Sequence, residues 1–510
     1  MLALAGGRTA VKESPSQGVF GTLETGMGRR KRLSHLCFIA VRTGREPAAA
    51  RRIPLAAEAL QALAIRFNKL EWTMDVGFAS RKSWDSDVNT PHAFLFYTAG
   101  EWLFLAWIAL VPVMQPWHVR IAGRFWLQIA DVVFVFAAPA YVASLLAGQR
   151  RIRLTSWCRA ALLFLAALAI SALASEHPRQ SFLKLPADAY VILGAVMTVG
   201  YVSTREALRK ALLAWMAGTF ATILATAAGT ALFAAGLRAP GRNLFLFQFG
   251  SLPPGPYPRL RAFFLDGNMF CSYAVVSTMV VVAAYQAGAI GRRTATVLFF
   301  GAAVSSILSL SPGLGGLFLA AGLWYWRSTR VKAAAGTGIL AAVAFLLIAM
   351  ISPTPLRSHS VWGALRHPEP SARVLTWIDA GKTFLAHPFL GRGLDMPAAH
   401  VLYPTASGVV KTMTDAQNTW LSIMAQAGLP GLLAFAAVMF SLTRRFRWFS
   451  PHSDPVRAAL ELALLGGVVY QLLTESFENT RHVWILMGLV SGAQGMDDEP
   501  AHQRAPATLR

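Results

Sequence analysis

From residue 93 onward, long apolar runs alternate with short polar or basic links. A helix crossing the hydrocarbon core of about 30 Å needs roughly 20 mostly apolar residues. The pattern predicts spans near 93–113, 125–147, 159–175, 187–203, 211–236, 263–286, 295–310, 312–326, 333–352, 419–443, 458–474 and 482–496. One link is much longer than the rest, 353–418, between the ninth and tenth runs. Within it, "SARVLTWIDAGKTFLAHPFLGRGL" has a helical period, with Val374, Trp377, Ile378, Gly381, Phe384 and Leu385 on one side. Ser371 is the expected N-cap, His387-Pro388 the expected end, and Gly391-Arg392-Gly393 the turn that follows. Such a helix is expected to lie along the membrane surface or to cap a cavity.

Composition agrees with an all-α polytopic membrane protein of about twelve transmembrane helices. The 510 residues are 55% hydrophobic and only 14% charged, with mean hydropathy +0.46, whereas soluble domains carry about 25% charged residues. The net charge of +22 would suit nucleic acid if it were clustered on a soluble face. Its distribution argues instead for lipid. The links "GQRRIRLTSWC", "STREALRK", "GRRT", "RSTRVK" and "RRFRWFSPHSDPVR" hold 15 Lys and Arg, and the short links of the other parity hold 9 over more residues. This bias predicts cytoplasmic N- and C-termini, with the 353–418 loop periplasmic between helices nine and ten. Residues 1–90 are basic and without a clear period, and are expected to form a disordered cytoplasmic extension. The transmembrane domain covers 91–496, and 497–510 reads as a disordered cytoplasmic tail. The start lacks the pattern of a cleavable signal peptide. Three scattered cysteines suggest neither a disulfide frame nor a metal site.

Polar and charged residues gather toward one face. Arg261, Arg373 and Arg481 all fall on the outer side of the predicted topology, where the positive-inside bias gives no reason for them. Singly each reads as an interfacial anchor; together they suit an anionic group, because guanidinium binds phosphate bidentately. Asp266 and Asn268 open the sixth span, and Asp415, Gln417 and Asn418 open the tenth. Glu475, Glu478 and His482 flank Arg481. N-capping accounts for Asp415 or Asn418 equally well, and a structural ion pair accounts for Glu475 beside Arg481. "SPGLGG", after the seventh span, reads as a tight turn with close helix packing. No His/Asp/Glu cluster has metal-ligand spacing.

In this order and placement, the segments "RLRAFFLDGN", Arg373 with Trp377 and "HPFLGRGL", "DAQNTWLSIMAQAGLPG" and "ESFENTRHVW" resemble the O-antigen ligase and polysaccharide polymerase superfamily. The resemblance covers roughly 100–496 and is strongest from Arg261 onward. It suggests a GT-C-like architecture in the bacterial inner membrane. It also implies glycosyl transfer from an undecaprenyl-pyrophosphate-linked glycan to an acceptor sugar hydroxyl, on a growing glycan or a lipid A core. No metal or other cofactor and no nucleic acid is implied; membrane lipids and a chain-length regulator are the further expected partners. By resemblance, Arg261, Arg373 and Arg481 would hold pyrophosphate, and Asn268 and Trp377 would contact substrate. Asp415, Gln417, Asn418, Glu475 and His482 are the candidate catalytic residues. Three departures stand out: Gly267 replaces the usual proline before Asn268, "SPGLGG" replaces a Ser-Arg-Gly turn, and Gln417 stands where ligases carry histidine. Glutamine hydrogen-bonds but does not take up a proton, so Asp415, Glu475 and His482 compete as the base. The closing segment tilts toward polymerase. A lipid-linked-sugar transporter or flippase, or an inactive relative, are the alternatives; against transport, the sequence shows no repeat of spans and no paired broken helices.

Overall fold

Helix caps set where the elements begin. In this computed structural model the described residues are 91–115, 118–121, 125–147, 150, 154–236, 247–249, 258–309, 311, 313–328, 372–404, 410–450, 452–474 and 480–497. The chain divides into Met1–Trp84, which lies outside the described residues, and Asp85–Arg510. The second unit holds α1 (Pro91–Leu110), α2 (Ile129–Leu146), α3 (Ser156–Leu173), α4 (Pro178–Tyr201), α5 (Arg205–Ala234), α6 (Gly267–Gln286), α7 (Arg292–Leu308) and α8 (Leu314–Ser328). It continues with α9 (Ala372–Ala386), α10 (Thr419–Thr443), α11 (Pro455–Thr474) and α12 (Arg481–Asp497). Three two-stranded antiparallel hairpins decorate the links: β1 (His118–Ile121) with β2 (Phe125–Gln128), β3 (Phe247–Phe249) with β4 (Pro258–Leu260), and β5 (Val401–Pro404) with β6 (Val410–Met413). The Thr155, Thr204, Asp266 and Asn418 side chains accept backbone N–H bonds at the starts of α3, α5, α6 and α10. Pro178 opens α4, where a missing N–H costs nothing.

Six of these helices, α2 to α6 and α10, are long and apolar enough to cross a membrane. The centre of α6 is 89% buried and that of α2 only 17%, so α6 is the axis of the bundle and α2 faces lipid with Val132, Val135 and Phe136 outward. The threonines of α5 illustrate how polar side chains are satisfied within one helix. Thr219, Thr222, Thr226 and Thr230 of α5 each donate to the carbonyl four residues back, at 2.8–3.0 Å. "SPGLGG" does what close packing requires: a Cβ on Gly316 would meet the Gly466 carbonyl oxygen at 2.4 Å, so α8 and α11 touch backbone to backbone. The lid helix predicted from Ser371 is present as α9, although Ser371 itself, the span at 333–352, Glu475 and Glu478 lie outside the described residues.

The tenth span is not one continuous rod. Gly428 has φ 63 and ψ −161, and α10 breaks there into arms 419–427 and 429–443. The rings of Trp420 and Phe435 lie 4.8 Å apart between centroids, where a straight helix would separate those positions by roughly 22 Å. The arms therefore form a tight V. Phe435 also meets Phe164, in the middle of α3, at 5.4 Å, while Gln426, beside the break, meets Ser171 in the last turn of α3. The break thus stands at one end of α3, and the first arm folds back beside the bundle, bringing Trp420 toward the level of Phe164. The expectation of a simple span under a polar turn is corrected: the turn at 415–418 is carried down along the bundle. Local sequence explains the break. Pro430 has no N–H to give the Gln426 carbonyl, and glycine is the residue that accepts φ 63 without penalty.

Candidate functional site

The 415–418 turn is the entrance to the first arm of α10, and its own side chains shape it. Asn418 is the N-cap, its Oδ1 accepting the Leu421 N–H at 3.2 Å. Asp415 plays a different part: its Oδ1 accepts the Gln417 N–H at 3.0 Å and the Ser422 hydroxyl at 3.1 Å. That bond closes a turn in which Gln417 takes φ 49, a left-handed conformation uncommon for a side chain of this size. Of the two capping alternatives, Asn418 is the helix cap, and Asp415 holds the turn.

The lid helix docks on this turn. Arg373 donates from Nε to Gln417 Oε1 at 3.2 Å. One turn along α9, Thr376 donates to the carbonyls of Arg373 and Ala416 at 2.8 and 3.3 Å. Ala380, Ala398, Ala416 and Ala425 fill the seam with small side chains, which lets the backbones approach. Trp377 is half-buried, and its Nε1–H is buried without a hydrogen-bond partner. Arg373, Gln417, Asp415 and Asn418 are thus one constellation at the N-terminus of a half-helix, where unpaired N–H groups and the dipole favour an anion.

The other predicted residues are placed elsewhere. Arg261 donates from Nη1 to the Leu265 carbonyl at 3.0 Å. Burial lowers its guanidinium from the ordinary value, opposed by the nearby Asp266 carboxylate, and an arginine stays a cation regardless. Asn268 accepts the Ser311 hydroxyl at 2.9 Å, joining the start of α6 to the turn before α8. His482 is 0% exposed, with Nε2 2.9 Å from Ser272 Oγ and the rings of Phe264 and Tyr273 edge-on to it. The imidazole is thus packed between α6 and α12.

Arg481 opens α12. It faces α2, 2.8 Å from Asp131 Oδ1 and 3.1 Å from Oδ2, and donates to Gln128 Oε1 at 2.6 Å, with its guanidinium over the Tyr190 ring. The Asp131 carboxylate already pairs with it. Sequence reading proposed Glu475 as its partner and missed Asp131, although a carboxylate in so apolar a run was itself a signal. Thr376 and Ser422 were missed for a different reason. Nothing in their spacing distinguishes them, and only the docked lid gives them partners.

A second fastening lies at the far end of the lid. Glu176, in the link between α3 and α4, is 3.1 Å from Arg392 Nε and 3.3 Å from His387 Nε2. The Arg392 hydrogen bond holds its carboxyl below the usual glutamate value. Among the described residues no group of three His, Cys, Asp or Glu side chains is placed to hold a metal ion.

No curated protein matches the chain. Residues 294–436, which run from α7 through the lid and the 415–418 turn into the second arm of α10, match the O-antigen ligase family model. The lid with its arginine, the polar turn and the broken helix all fall within that stretch, which is similar to the O-antigen ligase family.

Proposed function

We propose that this protein transfers a glycan from a lipid-linked pyrophosphate donor to an acceptor sugar hydroxyl at the outer face of the bacterial inner membrane. The observation that carries the reading is the Arg373–Gln417 contact at the N-terminus of the folded-back arm of α10. The leaving pyrophosphate gathers negative charge as the anomeric C–O bond breaks. A guanidinium and helix N–H groups already oriented there stabilise that charge with little reorganisation. Gln417 accepts from Arg373 Nε, which helps to fix the plane of the guanidinium at this turn. Trp377 supplies one more N–H to a phosphate or sugar oxygen.

The acceptor oxygen attacks the anomeric carbon, its proton passes to a base, and lipid pyrophosphate departs. Asp415 is the base we assign, since Gln417 takes no proton and His482 is enclosed. Near the start of α6, Arg261 is assigned to the pyrophosphate and Asn268 to the donor glycan. Whether the acceptor is another repeat unit or a lipid A core, the charge and proton problem is the same.

The broken α10 also favours a second reading, because transporters use interrupted helices at their substrate sites. One assay separates the two. Proteoliposomes containing lipid-linked repeat units are expected to yield longer or transferred glycan with wild type, a loss of about a hundredfold in Arg373→Ala, and a comparable loss in Asp415→Asn. Relocation of intact lipid-linked units with no new glycosidic bond would overturn the transferase reading in favour of transport.

A further inference from the structure

The loop that follows the lid runs between two sets of backbone partners. On one side are carbonyls released by the break in α10. Leu429 N–H turns away to the Pro388 carbonyl at 2.9 Å, and Pro430 has no N–H, so the carbonyls of Ala425 and Gln426 lose their helical donors. Arg392 and Gly393 replace them, donating their N–H groups at 2.9 and 3.0 Å.

On the other side stand three buried serines. Ser171 Oγ is 2.8 Å from the Leu390 carbonyl, Ser175 Oγ 3.3 Å from that of Arg392, and Ser181 Oγ 2.8 Å from that of Leu394. The three acceptors are alternate residues of a loop of turns and bends, in which Gly391 and Gly393 have φ 71 and 114, met by hydroxyls from α3, the link and α4. Ser171 does more than the other two. Its Oγ is also 2.8 Å from the Gln426 carbonyl, so one hydroxyl proton is shared between the loop and the broken helix. Glycine is required where these surfaces meet: a Cβ on Gly391 would lie 2.3 Å from Gln426 backbone atoms, and one on Gly393 1.9 Å from Ser175 Oγ.

We propose that Ser171 is a positioning residue: its hydroxyl fastens the break in α10 to the loop after the lid and so fixes the arm that presents residues 415–418. It lies outside the 294–436 stretch that the family model matches. The catalytic consequence rests on the glycosyl-transfer reading; the fastening itself does not. Each end of the lid is then held to α10 separately, at Gln417 by Arg373 and at Gln426 by the clip. Loss of the Ser171 hydroxyl leaves two buried carbonyls with fewer donors and lets the angle between the arms relax.

The test uses full-length protein in nanodiscs and proteoliposomes, with Ser171→Ala, Ser171→Thr and, as a control, Ser144→Ala, whose buried hydroxyl donates to the Tyr141 carbonyl within α2. In Ser171→Ala, amide hydrogen exchange is expected to rise about tenfold both at 391–393 and at 417–421. The turnover number should fall about tenfold while KM for the lipid-linked donor stays within about twofold. Ser171→Thr should restore both, and Ser144→Ala should change neither. Unchanged exchange at 417–421 in Ser171→Ala overturns the proposal, as does raised exchange with turnover intact. If wild type transfers no glycan, the transferase reading fails, and the exchange result alone decides the fastening.

Discussion

At the scale of single residues, the site depends on how one guanidinium is held. Arg373 donates from Nε to Gln417, and its planar guanidinium is the group we assign to the oxyanion. Lysine keeps the charge and loses the fork, so Arg373→Lys is expected to lower kcat/KM by about 10- to 100-fold in the transfer assay. Gln417→Glu keeps an acceptor for Nε and should retain far more activity than Gln417→Ala, a ranking that initial rates at saturating acceptor would read directly. Glu176 makes a pH prediction. Its folded-state value is depressed by Arg392, so its contribution is present above the unfolded glutamate value and is lost as pH falls through the folded one. Exchange at 387–395 should therefore increase on acidification below about pH 4, and Glu176→Gln should remove that part of the pH dependence.

At the scale of elements, α10 is the decisive piece. Its break costs two helical hydrogen bonds, offset by Arg392, Gly393 and Ser171. Gly428→Ala would place a Cβ 2.6 Å from the Gly391 nitrogen and strain a φ of 63. Its expected cost is about 1–3 kcal/mol, read as a lower unfolding midpoint in detergent together with lost transfer activity. Pro430→Ala restores one N–H but leaves Gly428 in place, so the break should persist with a much smaller effect.

At the scale of the whole molecule, buried charge ties the helices together. Arg481 and Asp131 join α12 to α2; Arg457 and Glu461 form a second pair within α11, at 4% and 0% side-chain exposure, and Gln494 of α12 donates to Glu461 at 3.4 Å. Glu461 also accepts the Arg447 N–H at 2.7 Å, fixing the turn after α10. Removing one member of such a pair strands the other, so Asp131→Ala is expected to destabilise the bundle by about 3–5 kcal/mol. Changing both Asp131 and Arg481 to apolar residues should recover much of that loss, which a double-mutant cycle of unfolding free energies would show.

The sequence by itself determined the membrane class, the positions of most helices, the lid from 372 to its end at His387-Pro388, and the residues from which a site would be chosen. These follow from length, period and local punctuation, each of which acts over a few residues. It also held the ingredients of the break, in Gly428-Leu429-Pro430-Gly431. It did not say that the arms would fold into a V, because that depends on donors from Arg392, Gly393 and Ser171, far away along the chain. Only the tertiary structure decided which partner each arginine meets. Arg373 and Arg481 look alike in sequence, but one meets a glutamine and the other a carboxylate. The difference lies in the partner each helix end happens to face, and long-range packing alone sets that.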